Sequence, residues 1–321
     1  MTIRYNSVFG KYLESMVEFK TALGYSPKTY ASRSRSFDRY CADALYESTE
    51  LTKELVTGWI NSTAASLSEK NARVSFCRCF GRYLRSIGLE AYVIPERYYG
   101  GKTSFQPYIF TKKEMRGLFQ QIDRLSKDAF RQALLSVYFR LTYTSGLRPE
   151  EGRRIRQSDI NFSSGRILVR ARKKHRERII VVSDDMLSLL KKYRKKVLML
   201  YPECDWLFPN ENGDPYPASW YQKKMKTAFR AANSEVDPDL LPSVRVYDLR
   251  HMFATTALHR WLENKEDLYA RLPYLRMYMG HTSLNATAYY VHLLPETLVQ
   301  SSGVDWKKMT SLIPEVELWE E

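Results

Sequence analysis

The sequence predicts a mostly α-helical protein of two domains, with a small β element confined to the second domain. Apolar residues recur at helical spacing along most of the chain, and only two short runs are rich in β-branched residues. Residues 97–108 lack periodicity and contain Gly-Gly and Pro, which is typical of a linker. A chain of 321 residues allows each domain to bury its own core. We therefore expect domains at 1–96 and 109–302, followed by a tail at 303–321.

The first domain is predicted to consist of four helices. Ser26 followed by Pro27 is typical of an N-cap and the first helical position, and Thr52 and Ser68 are candidate N-caps of the two helices that follow. The predicted helices cover residues 8–23, 28–45, 52–65 and 68–87.

Two of these helices carry basic residues among aromatic ones. Lys and Arg side chains contact phosphate oxygens without reading the base sequence, so a basic helix is a candidate DNA-contacting surface. A solvated helix face is the alternative for any single residue. The candidates in this domain are Lys28, Arg33, Arg35, Arg73, Arg78 and Arg82.

The second domain begins with a capping-box pattern, in which Glu114 follows Thr111 by three residues. Helical patterns continue to Gly146. Two β-branched runs, 167–169 and 179–182, then predict a hairpin with a strongly basic turn. The helices predicted after the hairpin cover residues 184–200, 218–233, 249–263 and 272–279.

The charge balance favours a polyanionic partner. The chain has 50 Lys and Arg against 36 Asp and Glu, which gives a net charge of +14 and a pI near 9.5. Residues 110–302 hold a net +12, whereas residues 1–109 hold +5 and the tail holds −3. Basic surfaces bind nucleic acid through phosphate neutralisation and counterion release. The second domain is therefore the stronger candidate for a nucleic-acid site.

Membrane, metal and disulfide classes are disfavoured by the composition. No apolar run approaches the about 20 residues needed to span a bilayer, and the N-terminus lacks the apolar core of a signal peptide. The four cysteines are too few and too scattered for a disulfide framework, and no Cys or His pair has the spacing of a zinc module. We expect a cytoplasmic protein that uses no membrane, metal ion or cofactor.

A sharp turn between two helices presents the first candidate site residue. Gly146 ends one helix and Pro149 begins the next, so Arg148 projects from the turn. A guanidinium held in this way can direct two donors at phosphate oxygens, and Glu151, one helical turn later, could orient it. The alternative is a surface salt bridge between the two side chains.

The basic hairpin turn supplies further candidates. Lys173 or Lys174, at its tip, could enter a groove of DNA and deliver a proton to a leaving oxygen. The alternative is non-specific phosphate contact by the whole cluster, which includes Lys174 and Arg176.

Two later segments combine residues that bind or react with phosphate. Arg250 and His251 lie near a predicted helix start, where the positive end of the helix dipole favours an anion. His281 follows the helix-ending Gly280, and Tyr290 comes nine residues after His281. Each of these signals is weak when it is taken alone.

Together the segments resemble one family. Residues 146–151 (Gly-Leu-Arg-x-x-Glu), 249–255 (Leu-Arg-His-x-Phe-Ala-Thr) and 280–290 (Gly-His-x-Ser-x-x-x-Thr-x-x-Tyr) resemble the first-arginine, second-arginine and nucleophile boxes of the tyrosine recombinases, the phage integrase family. The resemblance covers nearly the whole chain, including an N-terminal helical domain of the kind that this family uses to clamp DNA. It implies a site-specific recombinase that acts on double-stranded DNA, as a homotetramer on two duplexes or with partner recombinases.

The resemblance also implies a role for each candidate. Tyr290 attacks the scissile phosphate to form a 3′-phosphotyrosine, which a second 5′-hydroxyl then attacks, so no ATP is required. Arg148 and Arg250 hold the non-bridging oxygens, and His281 hydrogen-bonds the phosphate or assists proton transfer. Lys173 protonates the leaving 5′-oxygen, with Lys174 as the alternative. A phenol with a pKa of about 10 is a weak nucleophile, so it needs this electrostatic help.

One position departs from the family's pattern. The second-arginine box usually begins with His two residues before the Leu-Arg pair, and Tyr247 occupies that place. A tyrosine can hydrogen-bond a phosphate but cannot act as an imidazolium, so the role of Tyr247 in the site is open. We choose Tyr290 as the nucleophile from its interval after His281, and we expect the adjacent Tyr289 to be a packing residue.

Two other functions are compatible with the same residues. A type IB topoisomerase uses the same chemistry to relax supercoils, and a DNA-binding regulator could retain the fold with a decayed active site. The N-terminal helical domain and the C-terminal tail favour recombination. The tail either folds back on its own domain or docks on a neighbouring protomer. A mobile element, a phage and chromosome-dimer resolution are all possible settings, and a mobile element is favoured.

Overall fold

Residues 5–62, 66–96, 107–170 and 177–294 are described by the structure, a computed structural model. The chain divides into two compact units, Met1–Gln106 and Pro107–Glu321. In the described ranges the protein is mostly helical with one small sheet, which confirms the predicted fold class. Residues 171–176 of the predicted basic turn and the whole tail lie outside these ranges.

The first unit contains four helices in its described part. They are α1 (Gly10–Ala22), α2 (Pro27–Asp43), α3 (Lys53–Asn61) and α4 (Leu67–Ser86). The Thr52 hydroxyl accepts the N–H of Leu55 (3.2 Å) and caps α3 as predicted. The predicted N-cap Ser68 is wrong, because the hydroxyl of Ser66 accepts the N–H of Glu69 and Ser68 already lies inside the first turn of α4.

An aromatic cluster forms the core of the first unit. The ring of Phe37 in α2 lies 5.1 Å from Trp59 in α3, 5.8 Å from Phe9 at the start of α1, and 5.8 and 6.1 Å from Phe80 and Phe76 in α4. All five side chains are at most 3 % exposed. Aromatic pairs in such geometries add to the free energy gained from burial, so the cluster ties the four helices together.

The second unit begins with the predicted capping box. The Thr111 hydroxyl accepts the N–H of Glu114, and the Glu114 carboxylate accepts the N–H of Thr111. Helix α11 begins one turn before the predicted residue 272, because the Asp267 carboxylate accepts the N–H of Tyr269 and caps it. The helices are α5 (Lys112–Ile122), α6 (Ala129–Ser145), α7 (Pro149–Gly152), α8 (Asp184–Leu200), α9 (Ala218–Ala232), α10 (Asp248–Glu263), α11 (Leu268–Met279) and α12 (Asn285–Ala288), with 3₁₀ segments at Gln157–Asp159 and Tyr289–Leu293.

A three-stranded antiparallel sheet lies between α7 and α8 in the chain. Its strands, in the order β1-β2-β3, are β1 (Ile160–Asn161), β2 (Arg166–Val169) and β3 (Arg178–Val181). The pair of β2 and β3 is the predicted hairpin, with Ile167 opposite Ile180 and both side chains fully buried. Strand β1 was not predicted, because two residues are too few to show an alternating pattern.

Two glycines allow helix ends to approach their neighbours closely. Gly146 ends α6 with a φ of 57°, and a Cβ at this position would collide with the ring of Phe253 in α10. Gly280 ends α11 with a φ of 65°, and a Cβ there would lie 2.9 Å from a guanidinium nitrogen of Arg178. The ends of α6 and α11 can therefore meet α10 and β3, and the candidate residues lie at this junction.

Candidate active site

Arg148 lies in the turn between α6 and α7, as predicted. Its Nη1 donates to Oε1 of Glu151 (2.8 Å), its Nη2 donates to the carbonyl oxygen of Gly280 (2.9 Å), and its backbone N–H donates to Oε2 of Glu151 (2.9 Å). The side chains of Arg148 and Glu151 are 16 % and 8 % exposed. The pair is therefore not a surface salt bridge, because the buried carboxylate fixes the guanidinium in one orientation.

Glu151 also binds a second arginine, which the sequence did not place in the site. Nη1 and Nη2 of Arg178 donate to the two carboxylate oxygens of Glu151 at 2.9 and 2.8 Å, and both side chains are 8 % exposed. Burial raises the pKa of this carboxyl group, but hydrogen bonds and charge from Arg178, followed by those from Arg148, outweigh burial and lower the pKa to about 2. The only sequence signal was the position of Arg178, at the end of the basic turn where the second β-branched run begins.

Replacing Glu151 with Gln should destabilise the protein by about 3–5 kcal/mol, because it leaves the buried Arg178 without a counter-charge. The folded-state pKa of Glu151 is lowered, so its charge stabilises the fold fully above the unfolded pKa of about 4.3. That contribution is lost as the pH falls through about 2. Urea unfolding should therefore give a higher free energy of unfolding for the wild type than for Glu151→Gln, and this difference should become smaller as the pH is lowered from about 5 towards 2.

The control for this prediction is Glu211→Gln. Glu211 pairs with Arg131 at 2.9 Å, but the two side chains are 59 % and 49 % exposed. Water and salt screen such a pair, so its loss should cost less than about 1 kcal/mol. Equal stability of Glu151→Gln and Glu211→Gln would contradict the buried role of Glu151.

Arg250, in the first turn of α10, is fully buried. Its Nη1 donates to the carbonyl of Gly146 (2.6 Å), and its Nη2 donates to the carbonyl of Met279 (2.7 Å) and lies 2.8 Å from Nε2 of His281. These carbonyls are at the C-terminal ends of α6 and α11, where helices lack internal donors and the dipole is negative, so they stabilise a buried cation. In the described part of the chain, Nε of Arg250 has no hydrogen-bond partner.

His281 has both ring nitrogens engaged. Its Nε2 lies 2.8 Å from Nη2 of Arg250, and its Nδ1 lies 2.8 Å from the hydroxyl of Thr287. Because a guanidinium can only donate, Nε2 must accept and the ring must be neutral, with its proton on Nδ1. Burial, followed by the charges of Arg250, Arg148 and Arg178, lowers the pKa of His281 to about 3, which agrees with a neutral ring.

Tyr290 lies between two imidazole rings. Its ring centroid is 5.9 Å from that of His281, with the planes 14° apart, and 5.5 Å from that of His251. Burial raises the pKa of Tyr290 to about 12, and the charge of Arg250 opposes part of this rise. Tyr290 is 3 % exposed whereas Tyr289 is 41 % exposed, so the expectation that Tyr289 packs inside is wrong. In a 3₁₀ segment consecutive side chains point about 120° apart, and Tyr290 takes the inward direction.

Tyr247 and His251 complete the arrangement. Tyr247 is the N-cap residue of α10 and is partly exposed, and its ring centroid lies 5.1 Å from that of His251. His251 is 8 % exposed, and its Nδ1 is buried with no hydrogen-bond partner among the residues described. The sequence analysis placed His251 beside Arg250 at an anion-favouring helix start but did not include it among the catalytic residues. Its spacing of four residues from Tyr247, which places the two rings on one helix face, was the available signal.

The structure thus brings together five of the six candidate catalytic residues, which come from three separate segments of the chain. They are Arg148, Tyr247, Arg250, His281 and Tyr290. The sixth, Lys173, lies outside the described residues, as do Lys174 and Arg176 of the same basic turn.

The basic residues predicted to contact DNA in the first unit occupy different environments. Arg73 is 8 % exposed, and its Nη1 donates to the carbonyl of Trp59 at 2.6 Å. Its guanidinium therefore stabilises the packing of α3 against α4, and Arg73 no longer belongs to the set of candidate DNA-contacting residues. The side chain of Lys28 is not among those described. The partly or fully exposed members of the set are Arg33, Arg35, Arg78 and Arg82.

The side chains of the site suit an anionic oxygen ligand. Within residues 5–62, 66–96, 107–170 and 177–294, no three His, Cys, Asp or Glu side chains are grouped so that they could hold a metal ion. Over the same ranges, no helix has both the length and the apolar character needed to cross a membrane. The site combines two arginines with imidazoles and a tyrosine, and these side chains supply the hydrogen-bond donors that recognise phosphate.

Comparison with known proteins points to one family. The profile of the phage integrase family matches residues 109–297. Integrase/recombinase y4rE of Sinorhizobium fredii is 25 % identical over 286 residues, which cover 88 % of this chain and 91 % of that protein. The post-cleavage crystal structure of the XerH site-specific recombinase on a palindromic difH substrate has a TM-score of 0.67 at 19 % identity and covers 88 % of this chain and 80 % of that one. The crystal structure of a lambda integrase tetramer bound to a Holliday junction has a TM-score of 0.63 at 15 % identity. The match covers 89 % of this chain and 78 % of the lambda integrase chain.

The fold and the gathered side chains define a site suited to phosphoryl transfer through a tyrosine. The matched segment is more than half of the chain and includes every candidate catalytic residue from Arg148 to Tyr290. The chain belongs to the phage integrase family, the tyrosine recombinases. The solved structures, at these low identities, add that the fold is shared.

Proposed function

We propose that this protein is a site-specific recombinase that cuts and rejoins double-stranded DNA through a 3′-phosphotyrosine intermediate, without ATP or a metal ion. The observation that carries the proposal is the position of Tyr290. It lies beside two imidazole rings and the fully buried Arg250, whose Nε–H has no partner among the described residues. Membership of the phage integrase family supports the same reaction.

The reaction consists of two phosphoryl transfers. In the first, the Tyr290 hydroxyl oxygen attacks the scissile phosphorus, the bond from phosphorus to the 5′-oxygen breaks, and Lys173 or Lys174 gives that oxygen a proton. In the second, the 5′-hydroxyl of another strand attacks the same phosphorus and Tyr290 leaves. The tyrosyl ester keeps the energy of the phosphodiester bond, so no ATP is consumed.

Arg148 and Arg250 stabilise the negative charge that grows on the non-bridging oxygens in the pentacoordinate state. Donors that are fixed before the substrate binds do this best, because they need no reorganisation during the reaction. Arg148 is fixed by the Glu151 carboxylate, and Arg250 is fixed by two helix-end carbonyls. His281 either orients Arg250, by accepting a hydrogen bond from its Nη2, or forms a hydrogen bond with the phosphate.

The site must open before it can react. Arg250 is 0 % exposed and Tyr290 is 3 % exposed, so a phosphodiester can reach them only after a local rearrangement around them. Binding of DNA supplies the free energy for this rearrangement. Cleavage by the protein therefore depends on prior DNA binding.

The remaining parts of the chain serve DNA binding and assembly. The domain at 1–96 clamps DNA, the linker at 97–108 joins it to the catalytic domain at 109–302, and the protein works in the cytoplasm on the nucleoid. A homotetramer on two duplexes is favoured because the lambda integrase of similar fold is a tetramer on a Holliday junction. Partner recombinases are the alternative. The phosphate contacts come from Arg33, Arg35, Arg78 and Arg82 and, in the basic turn, from Lys174 and Arg176.

The proposal is tested by trapping the covalent intermediate. Duplexes are selected from a random-sequence pool for binding to the protein and are then nicked at successive positions, so that the cleaved end diffuses away. A recombinase should form a protein–DNA adduct that survives denaturing electrophoresis, yet leave a supercoiled plasmid without the selected site unrelaxed. Relaxation of that plasmid would indicate a topoisomerase, and failure to trap an adduct on any selected duplex would indicate a DNA-binding regulator.

Replacing Tyr247 with Phe should slow cleavage by about tenfold to a hundredfold. Its phenol, at the N-cap of α10, donates one hydrogen bond to the phosphate, and loss of such a bond costs about 1–3 kcal/mol. Tyr247→His should stay active, because an imidazole can donate the same bond. Single-turnover rates on nicked DNA measure the effect, and a wild-type rate for Tyr247→Phe would remove Tyr247 from the site.

Removing residues 304–321 should spare binding to a single DNA site but abolish cooperative binding to two sites. The tail, which lies outside the described residues, is apolar and acidic, and we assign it to docking on a neighbouring protomer. A groove of about 1140 Å³ in the second unit could accept apolar side chains, since its lining includes Phe110, Met115, Met186, Leu189 and Leu294. Gel-shift titration on two-site DNA measures the effect, and unchanged assembly would favour a tail that folds back on its own domain.

A further inference from the structure

His251 occupies a position in the site that the reaction as described does not use. It follows Arg250 in the first turn of α10, is 8 % exposed, and has its ring 5.5 Å from that of Tyr290. Its Nδ1 is buried and has no hydrogen-bond partner in the described residues. A buried polar atom without a partner lowers stability, so such atoms are uncommon and are often found where a ligand or a proton is received.

The second imidazole beside Tyr290 cannot receive a proton in the same way. Nε2 of His281 already accepts from Arg250, and Nδ1 of His281 is engaged with Thr287. Protonation of Nε2 would break its bond to Arg250 and place two cations 2.8 Å apart. Of the two rings that flank Tyr290, His251 is therefore the one with a ring nitrogen available.

We propose that His251 is a further catalytic residue, whose Nδ1 accepts the proton of the Tyr290 hydroxyl during strand cleavage. This inference rests on the proposed recombinase function. In cleavage the Tyr290 O–H bond breaks, the bond from its oxygen to phosphorus forms, and the bond from phosphorus to the 5′-oxygen breaks. The phenolic proton moves to His251, while the leaving oxygen takes its proton from Lys173. In rejoining, the attacking 5′-oxygen bonds to phosphorus and its proton passes to the neutral amine of Lys173, while the tyrosine oxygen leaves phosphorus and recovers its proton from His251.

The electrostatic surroundings set the protonation states of His251 and Tyr290 before DNA binds. Burial, followed by the charges of Arg245 and Arg250, lowers the pKa of His251 to about 4, so the ring is neutral and able to accept before the reaction. Burial raises the pKa of Tyr290 to about 12, so the phenol keeps its proton at neutral pH and needs an acceptor when it attacks. A phosphodiester bound beside Arg250 brings a negative charge that offsets the arginines and makes His251 a better acceptor.

The test compares three variants in single-turnover cleavage of nicked DNA taken from the selected duplexes. His251→Asn keeps a polar atom close to the position of Nδ1 but cannot hold the proton, and His251→Phe keeps the ring alone. His259→Gln is the matched control, because His259 lies near the other end of α10 with 38 % of its side chain exposed. We expect both His251 variants to cleave at least about a hundredfold more slowly than wild type, with unchanged DNA affinity and a wild-type rate for His259→Gln.

A second substrate separates the proton acceptor from the proton donor. When sulfur replaces the bridging 5′-oxygen, the leaving thiolate needs no proton, so Lys173→Ala should recover its rate whereas His251→Asn should not. A His251→Asn rate within about threefold of wild type on the oxygen substrate, or its recovery on the sulfur substrate, would overturn the role of His251. An inactive wild type would instead overturn the proposed function, so the two failures are distinguishable. If His251→Phe fails to fold, the cleavage rates of the His251→Asn variant on the two substrates are sufficient to test the role of His251.

Discussion

Replacing Tyr290 with Phe should abolish the covalent protein–DNA adduct completely. The phenolic oxygen is the atom that bonds to phosphorus, and no other group of the residue can replace it. The ring of Tyr290 is 3 % exposed and packs between His251 and His281. Because Phe keeps this ring, the variant should fold with a loss of stability below about 1.5 kcal/mol and should still bind DNA. The measurement is denaturing electrophoresis of the protein after incubation with nicked, labelled duplex.

Tyr289→Phe is the matched control for this result. The two tyrosines are adjacent in the sequence, but Tyr289 is 41 % exposed whereas Tyr290 is 3 % exposed. It should form the adduct at the wild-type rate. If Tyr289→Phe lost the adduct and Tyr290→Phe kept it, the nucleophile would be the other tyrosine and the assignment of the whole 280–290 segment would be shifted by one residue.

Replacing Arg250 with Ala should reduce the cleavage rate by at least about a thousandfold, a larger effect than any change at Tyr247. Removal of one preorganised donor from a charge-developing transition state costs on the order of 10²–10³ in rate, and this change removes a full charge as well. Arg250→Lys keeps the charge, but an ammonium cannot span the two carbonyls and the imidazole that the guanidinium contacts. It should be impaired by about a hundredfold.

Stability must be measured alongside activity for these variants, because Arg250 is buried and its donors satisfy helix ends. Arg250→Lys is the more informative of the two, since it leaves a cation at the C-terminal ends of α6 and α11. Arg131→Ala, which removes a half-exposed arginine away from the site, should cleave at the wild-type rate. A folded Arg250→Lys protein that cleaves as fast as wild type would show that the guanidinium does not stabilise the transition state.

Local chemistry in the sequence was sufficient for most element positions and for the order of the site segments. Helix α8 was predicted with its observed bounds, Asp184–Leu200, because a helical pattern resumes directly after the hairpin. The structure adds that the Ser183 hydroxyl caps this helix by accepting a hydrogen bond from the N–H of Met186. The segments around Arg148, Arg250 and Tyr290 could be recognised because each is a short motif at a turn or helix end. The spacing between the characteristic residues of such a motif can be read directly from the sequence. These patterns assigned no helix or strand to the tail at 303–321.

The sequence by itself determined a mostly helical fold, a basic second domain and a set of arginine, histidine and tyrosine residues of one family. The tertiary structure decided which of those side chains meet and which are buried. It paired Glu151 with Arg178 and placed His251 against Tyr290. It also buried Arg73, which the sequence analysis had included among the candidate DNA-contacting residues of a basic helix. The physical reason is that periodicity reports the direction of a side chain only relative to its own helix or strand, whereas burial and long-range hydrogen bonds depend on how separate elements pack.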